Sequence, residues 1–298
     1  MRQRLLNLSH AQGEDYYLIL TRYALERLLY RLSVSRYSQQ FVLKGALLFS
    51  VWTGEKYRPT RDLDLLGSGE ASAERLRKTF KEICLTRVKP DGITFDQAGM
   101  ELEAIREDQE YQGQRIMMRA NLGKARIRVQ VDIGFGDIVK PAVEEIVFPT
   151  LLDFPSPKIR AYSREATIAE KLQAIVYLGL PNSRMKDFYD LYMMAKLFSF
   201  EGMILAEAIR VTFERRKTRI PKDVPLALSD EFISDRNKQR QWRAFLSKNR
   251  LETENQDLSE MVNYLRKFIM PIWSALGKDQ WFRRSWSRGG PWKRKRSD

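Results

Sequence analysis

Two aspartates one residue apart, Asp62 and Asp64, stand in the run Arg58-Pro59-Thr60-Arg61-Asp62-Leu63-Asp64-Leu65-Leu66, a short way after Lys44-Gly45-Ala46. Successive side chains of a strand point to opposite faces, so on a strand both carboxylates look the same way. Convergent hard-oxygen ligands suit Mg²⁺, with Mn²⁺ as an alternative, since Mg²⁺ is usually held by one or two carboxylates together with nucleotide phosphates. The pattern therefore points to the metal-binding end of a phosphoryl or nucleotidyl transfer site. A third candidate is Asp132, because Ile127, Val129, Val131 and Ile133 alternate there with Arg126, Arg128, Gln130 and Asp132. Three carboxylates on one polar face can hold one or two ions and an NTP. Arg58 and Arg61 can grip phosphate or remain solvated surface charges. The turn Lys44-Gly45-Ala46 can present backbone N–H groups to phosphates at a helix start, or be an ordinary strand-to-helix turn.

A second group lies in Ile168-Ala169-Glu170-Lys171-Leu172-Gln173-Ala174 and Arg184-Met185-Lys186-Asp187-Phe188-Tyr189-Asp190-Leu191. Lys171 falls three residues after Ile168 and four before Ile175, so it borders the buried face of a helix. It either snorkels to solvent or points its charge at a triphosphate. Asp187 and Asp190, three apart on the next helix, can anchor it, pair with arginines or touch the nucleotide.

Composition narrows the chemistry. The 298 residues include one cysteine, Cys84, and one histidine, His10, which excludes an intrachain disulfide framework and a Cys/His zinc cluster. A Ser-His or Cys-His arrangement would have to use His10, near the end of the chain, so acid-base work falls to carboxylates, lysines or metal-bound water. The net charge of +14 calls for an acidic partner, first of all nucleic acid. Residues 281–298 carry +6 of it and read as a disordered basic tail from 283 onward. With no long apolar run and no signal-peptide pattern, the chain reads as cytoplasmic and free of membrane.

The elements that must position these residues follow from periodicity. A helix over 14–31 precedes a strand at 41–43, a helix at 46–52, the strand 62–66, an amphipathic helix at 71–85, strands within 93–106, a hairpin of 115–122 and 125–134 turning at Gly123-Lys124, and a strand at 144–148. Prolines 149, 155 and 157 mark a linker, and the chain is helical from about 163, over 164–178, 183–198, 201–217, 235–248 and 257–276. The expected class is α+β, with a nucleotidyltransferase lobe over 1–155, a helical lobe over 156–282 and the tail over 283–298.

Lys44-Gly45, Arg58-x-Thr60-x-Asp62-Leu63-Asp64-Leu65, the Ala169-Glu170-Lys171-Leu172 helix and Arg184 to Leu191 together resemble the AbiEii/AbiGii toxin family of nucleotidyltransferase-like proteins over about residues 40–200. The resemblance implies a DNA polymerase β-like fold with a helical C-terminal lobe, and a toxin of a toxin-antitoxin or abortive-infection system with a separately encoded antitoxin. It implies transfer of NMP from an NTP to an RNA 3′ end, with tRNA as the acceptor, and a block of translation. It also implies Asp62 and Asp64 as metal ligands and Lys171 and Asp187 as the remaining catalytic pair; Lys44, Gly45, Ala46, Arg58, Thr60, Arg61 and Asp190 are the candidates for contact with the nucleotide. Where many nucleotidyltransferases have Gly-Ser and many relatives Gly-Gly, this chain has Gly45-Ala46, which leaves backbone donors alone to meet phosphate.

Overall fold

The computed structural model describes residues 1–54, 58–106, 112–251 and 257–294. They fall into two units, residues 1–137 with 143–162 and residues 138–142 with 163–298. The boundary lies beyond the expected residue 155, because residues 158–161 form a strand of the first unit's sheet.

The first unit begins with two helices, α1 (Arg2–Gln12) and α2 (Tyr16–Ser33). Asp15 caps α2 by accepting the Leu18 N–H, and Leu25, Leu28, Leu29 and Leu32 give it an apolar face. There follow β1 (Phe41–Lys44), the short α3 (Leu47–Thr53), β2 (Asp62–Gly67), α4 (Ala73–Leu85), β3 (Ile93–Arg106), β4 (Gln112–Leu122), β5 (Ala125–Phe135), β6 (Glu144–Val147) and β7 (Lys158–Ala161). The seven strands make one mixed sheet in the order β3-β4-β5-β2-β1-β7-β6. β2 runs parallel to β5 and β1 parallel to β7, while the other neighbours are antiparallel. The alternation in β5 sends Ile127, Val129, Val131 and Ile133 to the core beside Leu63, Leu65 and Ile116, all essentially inaccessible to water. The β4–β5 hairpin turns at Gly123-Lys124, and that turn fixes its register from Leu122↔Ala125 to Gly113↔Gly134. A buried bidentate pair, Arg31 to Asp91 at 2.6 and 3.0 Å, ties α2 to the segment entering β3.

The second unit holds α5 (Arg164–Leu178), α6 (Met185–Leu197), β8 (Phe200–Glu201), α7 (Gly202–Arg215), α8 (Asp230–Ser234), α9 (Arg236–Asn249), α10 (Leu258–Gly277), β9 (Arg284–Trp286) and β10 (Trp292–Arg294). The last three strands form a small antiparallel sheet in the order β10-β9-β8. This corrects the expectation of a disordered tail from 283 onward. Trp286 and Trp292 are buried, and their indole N–H groups donate to the carbonyls of Ala195 and Phe268 at 2.7 Å each. Burial of two indoles holds a basic segment that charge alone would leave in water. Residues 295–298 of the expected tail lie outside the described residues. No described helix is long and apolar enough to cross a membrane.

Candidate active site

Register across the sheet brings the first group of candidates into one row. Lys44 on β1 is opposite Asp64 on β2, Asp64 is beside Asp132 on β5, Asp132 is opposite Arg115 on β4, and Arg115 is opposite Glu103 on β3. Asp62 sits two residues along β2, beside Gln130, on the same face. Leu63 and Leu65 point the other way into the core, so burying the leucines exposes both carboxylates to one side. Both aspartates are partly accessible.

Two glycines make this crowding feasible. Gly45 has φ of +77°, and a Cβ built on it would lie 2.0 Å from Asp64 Oδ2, so the Asp64 carboxylate rests directly against the Gly45 backbone. Only glycine fits there. Lys44 extends over Gly134, its Nζ 3.5 Å from where a Cβ would be, and reaches Asp137 at 3.7 Å and the ring face of Tyr162 at 5.8 Å.

Asp132 is held by its neighbours. Arg115 donates from Nε and Nη2 to its two oxygens at 2.8 and 2.7 Å, and Gln130 donates to both at 3.2 Å. The hydrogen bonds to Asp132 raise the Arg115 pKa further, with Asp62 and Glu103 adding to the effect. Among the described residues no three His, Cys, Asp or Glu side chains are grouped to hold a metal ion. Asp62, Asp64 and Asp132 share one face of the sheet, and Asp132 is engaged there by the Arg115 guanidinium. A pair still suits Mg²⁺, which takes one or two carboxylates together with phosphate oxygens.

The second group is also brought together, within its own unit. Lys171 Nζ lies 3.0 Å from Asp187 Oδ1 and 2.7 Å from Asp190 Oδ2, and Arg184 Nε donates to Asp187 Oδ2 at 2.6 Å. Both aspartates are fully buried. Burial would raise the Asp187 carboxyl, yet the charges of Lys171, Arg184 and Lys186 hold it below the usual carboxylate range. Lys171 does not snorkel away from the helix face, since its ammonium is spent on two buried carboxylates.

A family model for the nucleotidyl transferase AbiEii toxin of type IV toxin-antitoxin systems matches residues 27–264, which span the row and the Lys171 cluster. The chain belongs to the AbiEii family. Among solved structures it is similar to JHP933 from Helicobacter pylori, at 18% identity over 88% of this chain and 94% of that one, with a TM-score of 0.51. That likeness is one of fold. A second Helicobacter pylori structure, provisionally assigned as a nucleotidyltransferase, aligns at 17% identity over 89% and 98% of the two chains with a TM-score of 0.49. No protein of curated function matches the sequence.

The remaining candidates of this AbiEii protein divide. Ala46, Arg58 and Thr60 line a cavity of about 610 Å³ in the first unit, together with Leu18, Arg22 and Glu26 of α2. That volume is within the range of small-molecule sites. The described lining does not include Lys44, Gly45, Asp62 or Asp64. Arg61 is exposed. Thr60 Oγ1 donates to the Asp62 carbonyl at 3.5 Å. Asp190 serves Lys171.

Two residues were missed from the sequence. Arg115 was recoverable, because a hairpin turning at Gly123-Lys124 pairs position 115 with position 132. Glu26 is a carboxylate on the buried side of α2, and a charge among Leu25, Leu28 and Leu29 was its signal. Its Oε2 accepts the Leu151 N–H at 2.7 Å, whereas Oε1 lies 2.9 Å from the Arg27 guanidinium without hydrogen-bond alignment. Burial pushes this carboxyl up to about 7.

Proposed function

We propose that this AbiEii protein is a Mg²⁺-dependent nucleotidyltransferase toxin with a DNA polymerase β type of nucleotidyltransferase lobe, acting in the cytoplasm. It transfers NMP from an NTP to the 3′ end of an RNA, with tRNA as the acceptor, stops translation, and is countered by a separately encoded antitoxin. The observation that carries the reading is the placement of Asp62 and Asp64 on one face of β2, with Asp64 against the Gly45 backbone and between Lys44 and Asp132 in register.

Asp62 and Asp64 are the residues that would hold Mg²⁺, with Mn²⁺ as a substitute. Bound there, the ion would neutralise triphosphate charge, orient the attacking oxygen and stabilise departing pyrophosphate. Gly45 keeps the backbone close to the carboxylates, and Lys44 brings a cation beside Asp64. Asp132 holds Arg115 by both oxygens, fixing a guanidinium at the edge of the row where phosphate charge arrives. Arg58, Thr60 and Ala46 shape the nucleotide's surroundings, and Lys171 is held by Asp187 and Asp190 within its own unit.

The test is to incubate the protein with each labelled NTP, Mg²⁺, total RNA and cell lysate. Label is expected in RNA, and is expected to be lost with Asp62→Ala. Label in protein alone would make the enzyme one that modifies protein hydroxyls. Label in neither would leave a nucleotide- or nucleic-acid-binding protein without transfer activity.

A further inference from the structure

We propose that the open face of the β4–β5 hairpin is the track on which the RNA backbone lies, with Arg119, Arg126 and Arg128 as its phosphate contacts. The inference rests on the transfer reading above and adds the path of the acceptor. All three arginines are exposed, and none forms an ion pair among the described residues. Arg119 and Arg128 are register partners on adjacent strands. Directly opposed side chains have Cβ atoms about 4.5–5.5 Å apart, and like charges so placed repel. Arg126 follows on the same face at about 7 Å along β5. Three guanidinium groups are thus held together, with Asp96 opposite Arg119 on β3 but no carboxylate in ion-pair contact with any of them among the described residues.

The face is graded. Asp96, Glu101 and Glu103 flank the arginines on β3, and the far end of the same face carries Asp62, Asp64 and Asp132. From Arg128 to Asp132 the strand rise is about 13 Å, a few nucleotides of backbone at most. Arg115 stands at the aspartate row and not on the track, held there by Asp132 through Nε and Nη2. A polyanion fits the arginine end: the guanidinium fork matches phosphate oxygens bidentately, and phosphate would relieve the repulsion between Arg119 and Arg128. A chain lying on it can bring its end to the aspartates, where the reading above requires a 3′-hydroxyl. The surplus of +14 supplies the long-range attraction.

The test uses the full chain and fluorescence anisotropy with a labelled single-stranded RNA of about a dozen nucleotides, within the span of known single-strand sites. The triple variant Arg119→Glu, Arg126→Glu, Arg128→Glu is expected to bind at least about tenfold more weakly at ~0.1 M salt, and its log–log salt slope should fall by about 2, near 0.7 per lost phosphate contact. The control is Arg236→Glu with Arg243→Glu on α9, both exposed, and it should change affinity little. Arg128→Glu alone places opposite charges across the strands, so its melting temperature should hold or rise while RNA affinity falls. Wild-type affinity and slope in the triple variant would overturn the proposal and turn the search to an acidic protein partner. An equal loss in the α9 control would overturn it as well, since the attraction would then be diffuse. The binding measurement needs no chemistry: absence of labelled transfer defeats the transfer reading, while unchanged anisotropy defeats the track alone.

Discussion

The positions that decide the site are few, and each has a distinct physical constraint. Gly45 is required twice, by φ of +77° and by the Asp64 carboxylate occupying the space of its missing Cβ. Gly45→Ala should therefore approach Asp64→Ala in its effect, with transfer of labelled NMP reduced about a thousandfold or more, the several kcal/mol that loss of a catalytic metal ligand removes. Asp62→Ala should do the same while circular dichroism shows an intact fold, and near wild-type transfer by either aspartate variant would end the assignment. Lys171 has a different constraint. Because Asp187 and Asp190 are fully buried, Lys171→Met removes a cation that both carboxylates share, leaving Asp187 with Arg184, and should cost about 3–5 kcal/mol in urea unfolding. Adding Asp187→Asn to it should cost much less than the sum of the two single changes, because the pair acts as a unit. Additive losses would show that the two side chains act separately. The shared face of the paired aspartates and the position of Lys171 at the border of a buried helix face were readable from spacing. Arg115 was not singled out because β4 showed its charge without its partner, and the partner emerges only when the hairpin register is followed to position 132.

Among elements, strands flanked by strong local signals were legible and short or distant ones were not. Alternation over β5 and the Gly123-Lys124 turn fixed the hairpin, and the amphipathic spacing of α4, α5 and α10 located those helices to within two residues. β7 read as linker because Pro155 and Pro157 precede it and four residues are too few to show a period. β9 and β10, three residues each, were hidden beneath their arginines and lysines, though Trp286 and Trp292 in so polar a stretch were the signal of burial. Phe268 packs against both indoles, 4.8 Å from one ring centre and 5.7 Å from the other, and the indoles lie 5.4 Å from each other. Trp286→Ala should accordingly cost about 3–5 kcal/mol, the range for an emptied aromatic site, measured by chemical denaturation. A change below about 0.5 kcal/mol, typical of surface substitutions, would return the segment to the status of a loose tail.

At the scale of the whole molecule, charge was legible and strand order was not, since pairing between distant strands leaves no local trace in composition or period. Two buried acids give stability opposite responses to pH. Glu26, raised from 4.5 to about 7, binds its proton more tightly folded than unfolded, so its contribution declines as pH rises between those values. Asp187, held low, contributes above the unfolded carboxylate value near 3.8 and loses that contribution as pH falls through its folded value. Unfolding free energy measured from pH 4 to 8 should fall toward neutrality, by at most about 3 kcal/mol for this residue, and Glu26→Gln should flatten that decline while leaving the acid limb unchanged. An identical slope in the variant would show that Glu26 does not titrate there. The sheet order also sets a timetable for synthesis. β2 finds β1 soon after it is made, but its other edge waits for β5, about 70 residues later. At ~5–20 residues per second that is roughly 4–14 s of an open strand edge on the ribosome. During that interval the aspartates of β2 act as charged guards against strand-to-strand aggregation, and the row of charged side chains that spans β1, β2 and β5 is still incomplete.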